Sequence, residues 1–348
     1  MLPDRGQIGA VLSMTAAVRC TAPWEGLHVL YDGRVKCCSW SMADLGRTGD
    51  TALADIWNGQ PARDVRRQML DGQLGAICPT WCPRLYRDSD KPRVTHGVAD
   101  AFNRNVDRME AEISAGATRL RSLPVDFRVF PTSRCNLRCI MCGQSKSDGS
   151  DWSTALQSQV IGFYPYARSI LGVGGEPLLS ASFLAMIRDF EPDRFPDCRF
   201  RVITNGTPLT AEVVAMMPRR FDHVAISIDS VQPHRLEAIR PGLRWAQLIS
   251  GIDRVLDHPQ RDFPVQLAFT VMRANYDEIG QFVDFARERG AQPALYPVLN
   301  TWHGQQLSEE QRIHVLTLLR SLGDGVANLE GCVAYYSEGT PPGAGHDC

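Results

Sequence analysis

The chain has 348 residues, 44% of them hydrophobic and 22% charged, with a formal net charge of −2. That length admits two domains with real cores, and the near-neutral balance gives no electrostatic reason to expect nucleic acid or a membrane surface as a partner. No apolar run approaches the ~20 residues that a spanning helix needs, and the stretch from Met1 to Cys20 lacks a basic region followed by an apolar segment and cleavage site. A cytoplasmic protein is therefore expected. Eleven cysteines stand out. In a long chain with no secretory signal, clustered thiols point to metal binding rather than disulfides.

Residues 1–90 are rich in Cys, Gly, Pro and Trp and carry little long periodicity. Within them, Leu27 to Cys38 reads as two short strands turned at Asp32-Gly33. A helical segment from Leu53 to Met69 follows, then the loop Cys78-Pro79-Thr80-Trp81-Cys82-Pro83. Residues 91–123 read as a linker and a mostly polar helix. From Val125 the pattern changes to alternating strands and helices, a unit spanning 124–300. Strands are predicted at Asp126–Phe130, Ser169–Val173, Arg199–Thr204, His223–Ile228, Val265–Val271 and Pro293–Val298. Between them, Leu248, Ile252, Val255 and Leu256 form one helical stripe and Ile279, Phe282, Val283 and Ala286 another. Ser308 to Gln311 is a capping box that opens a helix, the start of a C-terminal helix and tail over 301–348. Six strands separated by helices imply an α/β fold of parallel βα units, with chemistry at the C-terminal ends of the strands.

Just after the first of these strands lie Cys135, Cys139 and Cys142, spaced Cys-x3-Cys-x2-Cys. Three thiolates this close can hold one face of an iron–sulfur cluster and leave one iron open to an outside ligand. Structural zinc ordinarily takes four ligands, and no nearby His completes a set. The segment resembles the signature of the radical S-adenosylmethionine (SAM) superfamily. That resemblance implies a partial (βα)6 barrel, a [4Fe-4S] cluster whose open iron is chelated by SAM, and an external one-electron reductant such as flavodoxin or ferredoxin. Reductive cleavage of SAM would then give a 5′-deoxyadenosyl radical that abstracts a substrate hydrogen.

Supporting motifs follow in the order the resemblance requires. Gly174-Gly175-Glu176-Pro177 is similar to the family's glycine-rich segment at the SAM amino group. Thr204-Asn205-Gly206 ends the third strand. Ser227 and Asp229 sit two apart and share a face; by resemblance they contact the SAM ribose or methionine. Arg240, before Pro241-Gly242, resembles the arginine that pairs with the SAM carboxylate. Each motif alone reads equally well as a turn, a cap or a solvated charge. Pro293 to Val298 departs from the family's glycine-containing adenine-contact pattern.

The N-terminal pattern Cys20-x12-Gly33-x4-Cys38, then Cys78-x3-Cys82, resembles the half-length, twitch form of the SPASM auxiliary-cluster domain. The expected architecture is thus a partial radical SAM barrel preceded by a small Cys-rich hairpin-helix domain. Cys20, Cys38, Cys78 and Cys82 would complete a second [4Fe-4S] site, with Cys37 as a substitute for Cys38. In most relatives this domain follows the barrel; here it comes first. A fully ligated cluster would transfer electrons, whereas one held by three cysteines could bind substrate, and a structural zinc site is the alternative. Cys198 is expected in the core. Cys332 is a candidate hydrogen-atom donor, and Tyr335, Tyr336 and His303 are candidates for the substrate mouth.

These readings converge on a radical SAM oxidoreductase or epimerase. It would oxidise, epimerise or cross-link a sugar-like small molecule or, alternatively, a ribosomal peptide. A non-catalytic iron–sulfur or zinc protein, serving as electron carrier or scaffold, is the competing class.

Overall fold

The computed structural model describes residues 20–49, 51–79, 82, 94–143, 149–299 and 303–337. Cys348, the linker residues 83–93 and the tail after Ser337 lie outside the described residues. Nine strands are seen: β1 Gly26–Val29, β2 Arg34–Lys36, β3 Gly46–Arg47, β4 Asp126–Val129, β5 Ser169–Gly172, β6 Arg199–Thr204, β7 Phe221–Ser227, β8 Val265–Val271 and β9 Gln292–Pro297. They form one sheet in the order β3-β2-β1-β4-β5-β6-β7-β8-β9. The six strands from β4 onward are parallel, and each lies within two residues of its expected bounds.

The N-terminal hairpin continues this sheet. β1 pairs in parallel with β4, placing Gly26 beside Asp126 and Val29 beside Val129. β2 returns antiparallel along β1, with His28 opposite Lys36. The hairpin turns at Gly33, whose φ of +85° is a left-handed conformation that a glycine adopts without strain. At the other edge, Ala327 forms a parallel bridge to Ala294.

Twelve α-helices complete the described residues: α1 Ala22–Glu25, α2 Leu53–Trp57, α3 Gln60–Leu70, α4 Asp100–Ser114, α5 Thr154–Ile161, α6 Ala181–Arg188, α7 Ala211–Ala215, α8 Pro233–Ile239, α9 Trp245–Leu256, α10 Ile279–Glu288, α11 Glu309–Ser321 and α12 Leu329–Ser337. The single helix expected from Leu53 to Met69 is two helices. Gly59 caps α3 in an extended conformation and Pro61 sits in its first turn, where a missing N–H costs nothing. The apolar stripes of α9 and α10 are buried as their spacing requires, except that Leu256 at the end of α9 is half-buried. Ser308 and Gln311 make the reciprocal capping box of α11.

Strand alternation gives the sheet two faces. Phe127, Val129, Ile170, Phe200, Val202, Val224 and Ile226 point into a core shared with the helices. The opposite face is mixed, carrying charged and polar side chains among small and apolar ones. Lys36, His28, Arg128, Leu171, Arg201 and His223 form one register row across it. Nearer the C-terminal ends come Ile203, Ala225 and Gln266, then Ser227 with Ala268, then Thr270 with Tyr296.

Candidate functional site

Cys135, Cys139 and Cys142 lie on the loop after β4, at the C-terminal edge of the parallel strands, and Cys135 is exposed. Neighbouring backbone fixes this loop on two sides. Gly175 N–H donates to Thr132 O at 3.2 Å and Glu176 N–H to Arg134 O at 2.7 Å. A Cβ on Gly175 would overlap the Arg134 backbone, so this approach needs glycine. On the other side Arg138 N–H donates to Pro241 O at 2.9 Å and Ile140 N–H to Ile239 O at 3.0 Å.

Side chains complete the cradle. Glu176 is buried, accepting from Thr204 Oγ1 at 2.9 Å, Leu178 N–H at 3.1 Å and Asn205 N–H at 2.7 Å. Burial pushes its carboxyl up to about 7 against these hydrogen bonds. Asn205 Nδ2 donates to Asn136 Oδ1 at 3.0 Å and reaches Cys135 Sγ at 3.8 Å. Arg240 is held by Asp229, with Nε and Nη2 at 2.8 and 2.6 Å from one carboxylate oxygen. Its Nη1 lies 3.6 Å from Cys139 Sγ. Burial pushes the Cys139 thiol up to about 11, and the Arg240 charge opposes that rise. Asp229 also accepts from Thr270 N–H at 2.7 Å, which ties the pair to β8. The structure therefore gathers Gly174, Gly175, Glu176, Thr204, Asn205, Asp229 and Arg240 around the three-thiol loop. Ser227 lies half-buried at the end of β7.

A second group of thiols comes from the N-terminal module. Cys20, Cys37, Cys38, Cys78 and Cys82 line one narrow cavity, together with Val65 and Met69 of α3 and Pro23 of α1. Burial pushes the Cys78 thiol up to about 12. Among the described residues no group of three or more His, Cys, Asp or Glu is drawn in around a single metal ion. Four of these five thiols, within apolar walls, are the donor set that a [4Fe-4S] cluster uses. Because β2 runs against β1, and β1 runs with β4, Cys37 and Cys38 emerge beside the start of β4. The two thiol groups thus occupy opposite edges of the sheet. The strands between them are four to seven residues long, or roughly 13–23 Å at about 3.3 Å per residue.

Comparison with known proteins matches this division. Residues 129–286 match the Radical SAM superfamily and residues 20–83 an iron–sulfur cluster-binding domain of SPASM type. The chain carries a radical SAM domain behind a SPASM domain. Among curated relatives, the GTP 3′,8-cyclase of Chlorobaculum tepidum is 31% identical over 223 residues, covering 62% of this chain and 66% of the cyclase. A probable GTP 3′,8-cyclase of Methanocella arvoryzae is 28% identical over 213 residues, covering 58% and 66%. The match thus spans just under two thirds of each cyclase. Streptococcus suis SuiB, in its SAM-bound crystal structure, superposes with a TM-score of 0.50 at 12% identity over 79% of this chain and 64% of SuiB. At that identity the likeness is one of fold.

Several residues of the radical SAM domain escaped the sequence reading. Asn136 Nδ2 donates to Thr207 Oγ1 at 2.9 Å, and Thr207 in turn donates to Asn205 Oδ1, linking the cysteine loop to the end of β6. Asn275 donates to the backbone of Asp229 and Thr270 at 2.7 and 2.9 Å and so supports the Asp229–Arg240 pair. Asn136 stands inside the cysteine motif, which was a usable signal. Asn275 gave none. Cys198 is buried as expected. Cys332 is fully buried on α12, its thiol donating to Leu295 O at 3.2 Å, so as placed it faces the β9 backbone. Tyr335 and Tyr336 donate to Val298 O and Val271 O, which makes them anchors of α12 against the ends of β9 and β8.

No helix among the described residues is long and apolar enough to cross a membrane.

Proposed function

We propose that this chain is a radical SAM enzyme acting on a small, sugar-like substrate that bears an anionic group. When bound, SAM and a reduced cluster on Cys135, Cys139 and Cys142 supply a 5′-deoxyadenosyl radical for hydrogen abstraction. The carrying observation is the three-thiol loop at the open edge of the parallel strands, with Asn205 and Arg240 donors at two of its sulfurs. These donors stabilise thiolate over thiol, the form that ligates iron. Glu176 and the Asp229–Arg240 pair are fixed by their own hydrogen bonds before any ligand arrives, which limits the ordering cost of binding. The amino group of SAM would be received near Gly174, Gly175 and Glu176, and its carboxylate near Arg240.

The basic side chains on the second sheet face support a small anionic substrate. Arg128, Arg201 and His223 occupy one row of it, and Tyr296, about two-fifths exposed, lies within electrostatic range of both arginines. Similarity to cyclases named for a nucleotide agrees with that chemistry. The separation of the thiol groups argues that the auxiliary cluster relays electrons, because a small substrate at the core loop cannot also reach the opposite edge of the sheet.

The test is anaerobic incubation with dithionite and SAM, with 5′-deoxyadenosine measured in wild type and in Cys139→Ala. Product from wild type alone supports the proposal. Absence of product from protein that carries its iron would leave an electron carrier or scaffold as the better reading. Deuterium transfer into 5′-deoxyadenosine from labelled candidate substrates then identifies the class, and transfer from a peptide but from no anionic small molecule would refute the substrate assignment.

A further inference from the structure

Arg66 lies at the middle of α3 and is fully buried. Its Nε donates to Pro23 O at 2.9 Å and its Nη1 to Thr118 O at 3.0 Å, while the guanidinium stacks 4.4 Å from the centroid of the Trp57 ring. Among the described residues its Nη2 has no hydrogen-bond partner and no carboxylate lies within ion-pair distance. The groups with electrostatic influence on it are the Cys37 thiol, which is the stronger, and Glu112. Glu112 is already committed, accepting from Arg121 N–H at 2.6 Å and Ser122 N–H at 3.1 Å.

A buried cation without a counter-charge is costly, by several kcal/mol even after relaxation. Two neutral carbonyls and an indole face offset part of that cost and leave one donor unmet. Among the described residues no side chain supplies an anion in direct contact with it, and Glu112 acts only at longer range. Val65 and Met69, the neighbours of Arg66 on α3, line the five-thiol cavity, and so does Cys37. A [4Fe-4S] cluster with four thiolates carries a net charge of about −2, becoming about −3 on reduction, and such charge is a main determinant of its potential.

We propose that Arg66 is the buried counter-charge of the auxiliary cluster, a positioning residue that favours its reduced form and turns an unstable buried cation into a paired one on loading. This rests on the reading of Cys20, Cys37, Cys38, Cys78 and Cys82 as a cluster site. Arg66 touches no reacting atom; it acts through the Cys37 side of the cavity. The sign is fixed by charge, since a cation stabilises the more negative, reduced state. Removing it lowers the midpoint potential.

The experiment uses full-length, reconstituted protein in which Cys135, Cys139 and Cys142 are replaced by Ala, so that only the auxiliary cluster gives an EPR signal. Arg66, Arg66→Met and Arg66→Lys forms are titrated redox-potentiometrically and melted with and without cluster. At a fixed potential, Arg66→Met is expected to show at least a tenfold lower ratio of reduced to oxidised cluster, a fall of about 59 mV for one electron, with Arg66→Lys staying within threefold of the parent. Without cluster, Arg66→Met melts at or above the parent temperature; with cluster it melts below. Loading in Arg66→Lys but not in Arg66→Met supports the same assignment. Equal potentials in all three forms, equal losses of melting temperature with and without cluster, or failure of both variants to load would overturn it and leave Arg66 a purely structural residue. A parent protein with no second cluster signal sinks the cluster reading itself, a separate and recognisable failure.

Discussion

Glu176 gives the sharpest pH prediction. Its carboxyl is buried and pushed up from an ordinary 4.5 to about 7, the desolvation cost exceeding the gain from its three hydrogen bonds. In the unfolded chain it ionises near 4.5. The native state therefore holds this proton more tightly, so the stabilisation it represents is complete below about pH 4.5, is lost as pH rises through 7 and is constant above. A gap of about 2.5 at about 1.4 kcal/mol each comes to roughly 3 kcal/mol. His223 works in the opposite sense. Burial and the nearby Arg201 push its imidazole down to about 4, so its contribution is lost as pH falls from about 6.5 towards 4. The two would largely mask each other in a wild-type profile. A Glu176→Gln variant separates them, because it cannot ionise and keeps His223. Its amide also presents a donor to the Asn205 N–H, a uniform cost of about 1–3 kcal/mol. Urea midpoints of wild type and variant, taken anaerobically between pH 4 and 8, give the difference profile. The stability of the variant relative to wild type should rise by roughly 3 kcal/mol from pH 4.5 to 7 and then level off. A flat difference across that range would refute the assignment of a raised native ionisation point to Glu176.

Three further outcomes follow from contacts elsewhere in the fold. Asp229→Asn leaves Arg240 buried without its partner and should cost about 3–5 kcal/mol in thermal or urea unfolding; a loss below about 1 kcal/mol would mean that the pair is not closed in solution. Arg201→Gln should leave slow, substrate-free cleavage of SAM unchanged while weakening substrate binding about tenfold, or ~1.4 kcal/mol, measured as KM for an anionic substrate; an unchanged KM would remove Arg201 from the binding surface. Cys332→Ala should lower stability by about 1–3 kcal/mol, because it strips a packed thiol and the donor at Leu295 O, with turnover intact when measured by product formation. Arrest of turnover at unimpaired 5′-deoxyadenosine production would instead establish Cys332 as a hydrogen donor.

The α/β alternation was legible because strands such as Arg199–Thr204 and Val265–Val271 are short segments rich in β-branched and aromatic residues, and because α9 and α10 carry clean helical stripes. The cysteine loop was legible as spacing. What spacing could not give is the reason for the glycines beside it. Gly175 abuts the Arg134 backbone and Gly242, at φ +99°, would place a Cβ 3.0 Å from Asn136 O; both are contacts between segments far apart in sequence. Arg66 shows a second kind of silence. It stands in a row with Arg63 and Arg67 on one short helix, and nothing in the sequence says which of them loses its water. Burial decides, and burial belongs to the packing of α1, α3 and the 117–122 segment.

The position of the auxiliary site illustrates how far a local pattern reaches. Cys20 and Cys38 flank a hairpin, and the two ends of any hairpin lie at the same end of its strands, so their proximity follows from the Asp32-Gly33 turn alone. Which edge of the sheet they occupy does not. That depends on β1 joining β4 in parallel rather than antiparallel, a pairing across 100 residues. A parallel join sends the hairpin ends to the N-terminal edge, away from Cys135; an antiparallel join would have brought them to the C-terminal edge, where an open iron could touch substrate. One strand orientation thus decides which edge of the sheet the auxiliary site occupies, the placement on which the proposed relay role rests, and it is read from backbone pairing rather than from any cysteine.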